Sequence, residues 1–216
     1  MYDGFEMKIA VFGATGKTGQ IFVQKAIEAG HTVNALSRQK PTGPTSTQRD
    51  VTWIIGSAHD DPAVAACLEG QDCAISFLGN FNKKPNTEMS DATSSILAAM
   101  TAQNVKRFVV ITTIGTGDSY KPMTSFVFKM IIKTVARNIW RDRDRQEAVI
   151  KASNADWTII RPGGLRDDPE AKTYQISPSN GPFPKKIAIP RADVAAFGLK
   201  ALSDNTLIGK TVCQFL

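Results

Sequence analysis

The sequence predicts an α/β protein of the Rossmann type: a doubly wound, mainly parallel sheet of about seven strands with helices on both faces. Three observations carry that prediction. Short apolar runs alternate with longer stretches of helical spacing, which is the pattern of βαβ units. The runs themselves, such as Val109–Thr112 (VVIT) and Thr158–Ile160 (TII), are apolar throughout rather than alternating, as strands covered on both faces are. A glycine-rich loop, Gly13–Gly19 (GATGKTG), stands between the first strand and the first helix.

The elements follow in order. Met7–Phe12 reads as a strand and Thr18–Ala29 as a helix, with Ile21, Phe22, Ala26 and Ile27 on one face and Gly30 as its stop. His31–Ser37 and Val51–Ile55 read as strands on either side of a polar loop over Pro41–Gln48. Pro62–Leu68 is a short helix with Asp60 or Asp61 near its N-cap. Asp72–Leu78 is the fourth strand, Thr87–Gln103 a helix and Arg107–Thr113 the fifth strand. A long helical region covers Pro122 to Ser153, with a break expected near Trp140. Asp156–Arg161 is the sixth strand, 162–187 a proline-rich loop, Arg191–Leu202 a helix and Thr211–Phe215 the last strand. The whole of 1–216 reads as one domain, with 162–187 as a substrate-side lid or a plain surface loop.

Composition narrows the class. The 216 residues are 42% hydrophobic and 21% charged, enough for a full core without disulfides or metals. Three scattered cysteines form no CxxC pair and point to a reducing, cytoplasmic setting. No apolar run is long enough to span a bilayer, so no membrane is expected as a partner. The net charge of +6 suits an anionic ligand or serves solubility. Basic residues are interleaved with acids, as in Arg141–Arg145 (RDRDR), which reads as a solvated helix face; no nucleic-acid stripe results. His31 reads as structural. His59, beside Asp60 and Asp61, lacks the further ligands a metal needs.

The glycine loop carries the chemistry. Gly13, Gly16 and Gly19 allow a sharp turn and a close approach of pyrophosphate to the backbone, and the helix start offers free N–H groups and a positive dipole end. Thr15, Lys17 and Thr18 add side-chain contacts. A P-loop would need glycine where Val11 stands. The second strand ends in Ser37-Arg38, with no acid for ribose hydroxyls. Arg38 is placed for a 2′-phosphate, so NADP(H) is the expected cofactor.

With these residues in view, the chain resembles the atypical short-chain dehydrogenases, in the NAD(P)H-binding group that includes biliverdin reductase B (flavin reductase) and the NmrA-like proteins. The stretches Gly13–Gly19, Leu36–Arg38, Ser76–Gly79, Ile111–Gly115, Trp157–Leu165 and Arg191–Val194 carry the likeness. The resemblance implies that Leu78 and Gly79 pass beneath the adenosine side. It also puts Thr112 and Thr113 at the fifth-strand end beside the nicotinamide, lined by Pro162, Gly163 and Gly164. The Tyr and Lys four residues apart of ordinary short-chain dehydrogenases are missing: Thr124 and Pro178 follow Tyr120 and Tyr174 at that spacing. Thr113 and Tyr120 are the candidate catalytic residues, Tyr120 as a proton donor or as a lidding aromatic. Phe126, Phe128, Met130 and Ile131 are expected to pack on the preceding helical part or on a partner subunit. The expected function is transfer of hydride from NADPH to a flavin, quinone or similar conjugated small-molecule acceptor by a monomer or homodimer. The alternative is a non-catalytic redox sensor of the NmrA-like type with a protein partner.

Overall fold

Strand β1 (Lys8–Phe12) shows how the core is built: Ile9 and Val11 point to one face, Ala10 and Phe12 to the other, and all four are fully buried. A computed structural model of the chain describes residues 6–39, 41, 49–80, 82–184 and 187–216. Tyr2 and most of the expected 41–48 loop lie outside the described residues.

The remaining strands are β2 (Thr32–Ser37), β3 (Val51–Ile55), β4 (Cys73–Ser76), β5 (Arg107–Ile111), β6 (Asp156–Pro162), β7 (Leu165–Arg166), β8 (Gln175–Pro178), β9 (Ile189–Pro190) and β10 (Lys210–Phe215). The helices are α1 (Lys17–Glu28), α2 (Asp61–Leu68), α3 (Glu88–Ala102), α4 (Phe126–Lys133), α5 (Arg137–Ala152) and α6 (Arg191–Ser203). The main sheet has the order β3-β2-β1-β4-β5-β6-β10-β8. Every pair in it is parallel except β10 with β8.

Helices α1 and α6 cover one face, while α2, α3 and α5 cover the other. Ile9, Val11, Ile75 and Val109 join Phe22 and Val194 in the first layer. Ala10, Phe12, Phe108 and Val110 join Val64, Ile96 and Ile150 in the second. The chain winds outward from β1 in both directions. The reversal therefore falls between β1 and β4, where the loops after the two strands part and leave a crevice.

The structure corrects two expectations. The region 122–153 is two helices that meet at Thr134–Ala136, not one with a break at Trp140. Ser125 starts α4 by accepting a hydrogen bond from the Phe128 N–H at 3.2 Å. The turn folds α4 back so that Phe128 meets Trp140 edge-to-face, with centroids 5.9 Å apart. Trp140 is held in turn by its Nε1–H, which donates to the Ile114 carbonyl at 3.3 Å.

The region 162–187 is likewise not all loop. It contains β7, which pairs with β9, and β8, which pairs antiparallel with β10 and gives the sheet its eighth strand. Without β8, β10 would present a row of unpaired backbone groups at the sheet edge. Prolines hid both strands, yet Pro178 ends β8 rather than interrupting it. Among the described residues no helix is long and apolar enough to cross a membrane.

Candidate functional site: the cleft at the sheet switch point

The crevice between the loops after β1 and β4 is a cavity of about 630 Å³. Gly13, Thr15, Gly16, Ser37, Arg38, Leu78 and Gly79 line it, so seven of the expected cofactor residues come together there. Gly56–His59, after β3, and Glu88, Met89 and Ala92, on α3, complete the walls. The sequence reading missed these residues; only the rule that loops at strand carboxyl ends share a site would have found Gly56–His59.

The glycine loop is built by close approach. Gly13 has φ +81°, and a Cβ there would lie 2.8 Å from the Phe77 carbonyl carbon. A Cβ on Gly19 would meet the Gly13 oxygen. The two glycines let α1 start directly under the loop. No side chain caps α1, and its first turn holds no acid, so its leading N–H groups and dipole are free for an anion.

The other loop residues have separate tasks. The Lys17 ammonium is turned away to Asp167 at 2.6 Å. Arg191 donates to the same carboxylate at 2.7 Å and to the Thr18 hydroxyl at 3.5 Å. These bonds hold the Asp167 carboxyl below the usual range. Ser37 donates to the Gln39 carbonyl at 2.6 Å. Arg38 is exposed, and among the described residues it has no ion pair.

The cleft walls are set from α5. Asp142 is 2% exposed and accepts from the backbone N–H groups of Met89 (2.8 Å) and Ser90 (3.3 Å) and from the Ser90 hydroxyl (2.8 Å). It thereby caps α3 at the point where α3 lines the cleft. Arg143, 7% exposed, donates to the Leu78 carbonyl at 3.1 Å and to Gln146 at 2.6 Å. The expectation of a solvated RDRDR face is thus wrong for its second and third members. Their helical spacing turns Asp142 and Arg143 inward, and each finds partners that repay its desolvation.

The expected nicotinamide-side residues do not line this cavity. Thr112 is buried and donates to Glu147 at 2.9 Å. Glu147 also receives the fully buried Arg161, whose Nε lies 2.9 Å from Oε1. Arg161 reaches Asp118 as well. Thr113 is half-buried, with its hydroxyl 3.4 Å from the Ile114 carbonyl. Pro162 and Gly163 are buried and Gly164 is exposed. Gly163 has a packing reason of its own, since a Cβ there would overlap the Ile187 carbonyl. Tyr120 lines a separate cavity of about 570 Å³ between α4 and α5, with Trp140, Lys133, Arg137, Arg141 and Asp144 among its walls. The ammonium groups of Lys129 and Lys133 lie 5.5 and 5.6 Å from the Tyr120 ring centre.

Burial pushes the thiols of Cys67, Cys73 and Cys213 up to about 12, which leaves them unsuited to nucleophilic work. Among the described residues no group of three His, Cys, Asp or Glu side chains is placed to hold a metal. The cleft instead has the parts a dinucleotide uses: a Cβ-free approach to a helix start, and an exposed guanidinium at the end of β2.

A family model described as NAD(P)H-binding matches residues 13–205. The chain belongs to that NAD(P)H-binding family. It is 28% identical over 208 residues to an uncharacterized chloroplastic protein of Arabidopsis thaliana, covering 90% of this chain and 71% of that one. It is 25% identical over 190 residues to the oxidoreductase stcQ of Emericella nidulans, covering 77% and 68%. Among solved structures, ChuY, an anaerobillin reductase from Escherichia coli O157:H7, superposes with a TM-score of 0.81 at 24% identity, covering 96% of both chains. That likeness shows the fold alone, the doubly wound Rossmann type.

Proposed function

We propose that this protein is an NADPH-dependent oxidoreductase that reduces a flat conjugated acceptor such as a flavin or quinone. The observation that carries the reading is the end of β2 in the cleft, where Ser37 and Arg38, which has no ion pair among the described residues, stand in place of a carboxylate. A carboxylate there would favour ribose hydroxyls; a guanidinium favours a 2′-phosphate by paired, charge-assisted hydrogen bonds. The oxidoreductase stcQ and the reductase ChuY support the reaction class by likeness.

A bound nicotinamide would supply the hydride. The chain's own part is positioning: Gly13, Gly16 and the start of α1 hold the pyrophosphate, Arg38 the 2′-phosphate, and Leu78 and Gly79 the adenosine side. None of the tyrosines among the described residues lines the cleft, and Tyr120 faces the second cavity. A carbonyl substrate would lack its proton donor. A conjugated acceptor that takes its proton from water does not need one.

Steady-state oxidation of NADPH and NADH with FMN, riboflavin, biliverdin and a quinone tests this. Turnover with NADPH is expected. Arg38→Ala should lower kcat/KM for NADPH by about tenfold or more, the worth of a charged hydrogen bond, and leave NADH unchanged. Tight NADPH binding without turnover on any acceptor would replace this reading with the sensor.

A further inference from the structure

Helix α4 carries an apolar face that nothing among the described residues covers. Phe126 is 75% exposed, Val127 69%, Met130 46% and Ile131 42%, and Val135, just beyond, is 55% exposed. At about 100° per residue, Phe126, Met130, Val127 and Ile131 form one continuous arc of about 140°. Phe128 and Ile132 occupy the opposite side and pack inward. Of the two expectations for Phe126, Phe128, Met130 and Ile131, packing within the molecule holds for Phe128 and not for the other three; packing on a partner subunit is the alternative that the experiment below separates.

The charge around this face is of one sign. From Ser119 to Arg141 the sequence holds Lys121, Lys129, Lys133, Arg137 and Arg141 and no acid. Lys129 and Lys133 border the apolar arc on one side, beside the Tyr120 ring, and Lys129 also donates to the Lys121 carbonyl at 3.0 Å. The nearest acids are already engaged: Asp118 with Arg161 and Ser179, Asp144 with the Gly117 N–H, and Glu147 with Arg161 and Lys151. Lys83 and Lys84 add to the same end, because the Asn138 side chain donates to the Lys83 carbonyl at 2.8 Å.

We propose that the α4 face docks on an anionic lipid surface, with the apolar arc entering the headgroup boundary and the lysines against the phosphates. An apolar arc bordered by basic residues is the signature of a helix that lies in the interface plane. Long lysine side chains keep their charged ends in the headgroup layer while their stems lie along the apolar face. A second copy of the chain fits less well. Two-fold contact would bring cation against cation, and the nearby Asp144 lines the Tyr120 cavity rather than the apolar arc. The five exposed side chains also offer less than the ~800 Å² per partner of a standard interface. The inference is independent of which reaction the cleft performs, and surface docking requires no spanning segment.

The full chain should co-sediment with vesicles of equimolar phosphatidylcholine and phosphatidylglycerol and not with phosphatidylcholine alone, and binding should weaken as salt rises. A double variant, Phe126→Asp with Ile131→Asp, should lose at least about tenfold in vesicle affinity. These positions are exposed, so unchanged circular dichroism and unchanged NADPH binding would show that the fold persists. Lys129→Glu with Lys133→Glu should weaken binding to anionic vesicles in the same direction. Absence of binding to anionic vesicles overturns the proposal. So does equal binding by the apolar variant. A solution dimer that the apolar variant dissociates would assign the face to a second copy instead.

Discussion

The glycine-loop cleft and the α4 end of the molecule both hang from the carboxyl edge of one sheet, yet they are held in different ways. At the cleft, backbone does most of the work: Gly13, Gly19 and an uncapped helix start create the space, and side chains from α5 brace it. At the α4 end, side chains do the work. A buried Arg161 gathers Glu147 and Asp118, Thr112 adds a hydroxyl, and an apolar helix lies over Tyr120 and Trp140. Backbone geometry depends on a few residue types and can be read from a short motif. A side-chain network depends on which groups meet, which no local pattern states.

The largest test of this contrast is Glu147→Ala. It leaves a guanidinium with no solvent exposure and only one carboxylate. Breaking a buried pair in this way costs about 3–5 kcal/mol, and the loss should appear as a lower urea midpoint. NADPH affinity measured under native conditions should change little, since the network lies outside the cleft. A large loss of affinity would mean the two regions are one.

Asp142→Ala comes next. It removes the buried cap of α3, for about 1–3 kcal/mol, and it should also weaken NADPH binding because Met89 and Ala92 line the cleft. Calorimetric titration would read that coupling. Stability lost with affinity unchanged would show that α3 does not brace the cleft.

His31 gives the smallest effect. Its Nδ1 accepts from the Met7 N–H at 3.3 Å, and burial lowers its pKa below 6.5. The unfolded chain then binds the proton more readily. The contribution of His31 to stability is therefore present above pH 6.5 and is lost as pH falls through the window below it. Urea midpoints for the protein and His31→Gln should converge on acidification. A gap that stays constant would place the histidine's worth in packing alone.

The fold was legible because its signal is local: apolar strands, helical spacing and a loop of three glycines in one register. The glycine-loop end of the cleft was legible for the same reason. The rest depended on distant partners. Asp142 and Arg143 looked like members of a solvated run because charge alone does not reveal a helix N-terminus waiting 53 residues earlier in the chain. Strand β8 was hidden by prolines that flank its pairing. The boundary between α4 and α5 is set by the meeting of Phe128 with Trp140, which neither residue's neighbours announce.

Asp167 adds a last consequence. Lys17 and Arg191, the two cations beside the glycine loop, share its carboxylate. An anion that arrives at the helix start finds these charges already answered by a counter-ion tethered to the chain. Binding there is an exchange of one anion for another rather than the neutralisation of bare cations. Few mobile salt ions are released in such an exchange, so this contact should add little to the salt dependence of binding. The site selects for ligands that bring more negative charge, or better geometry, than one carboxylate already offers.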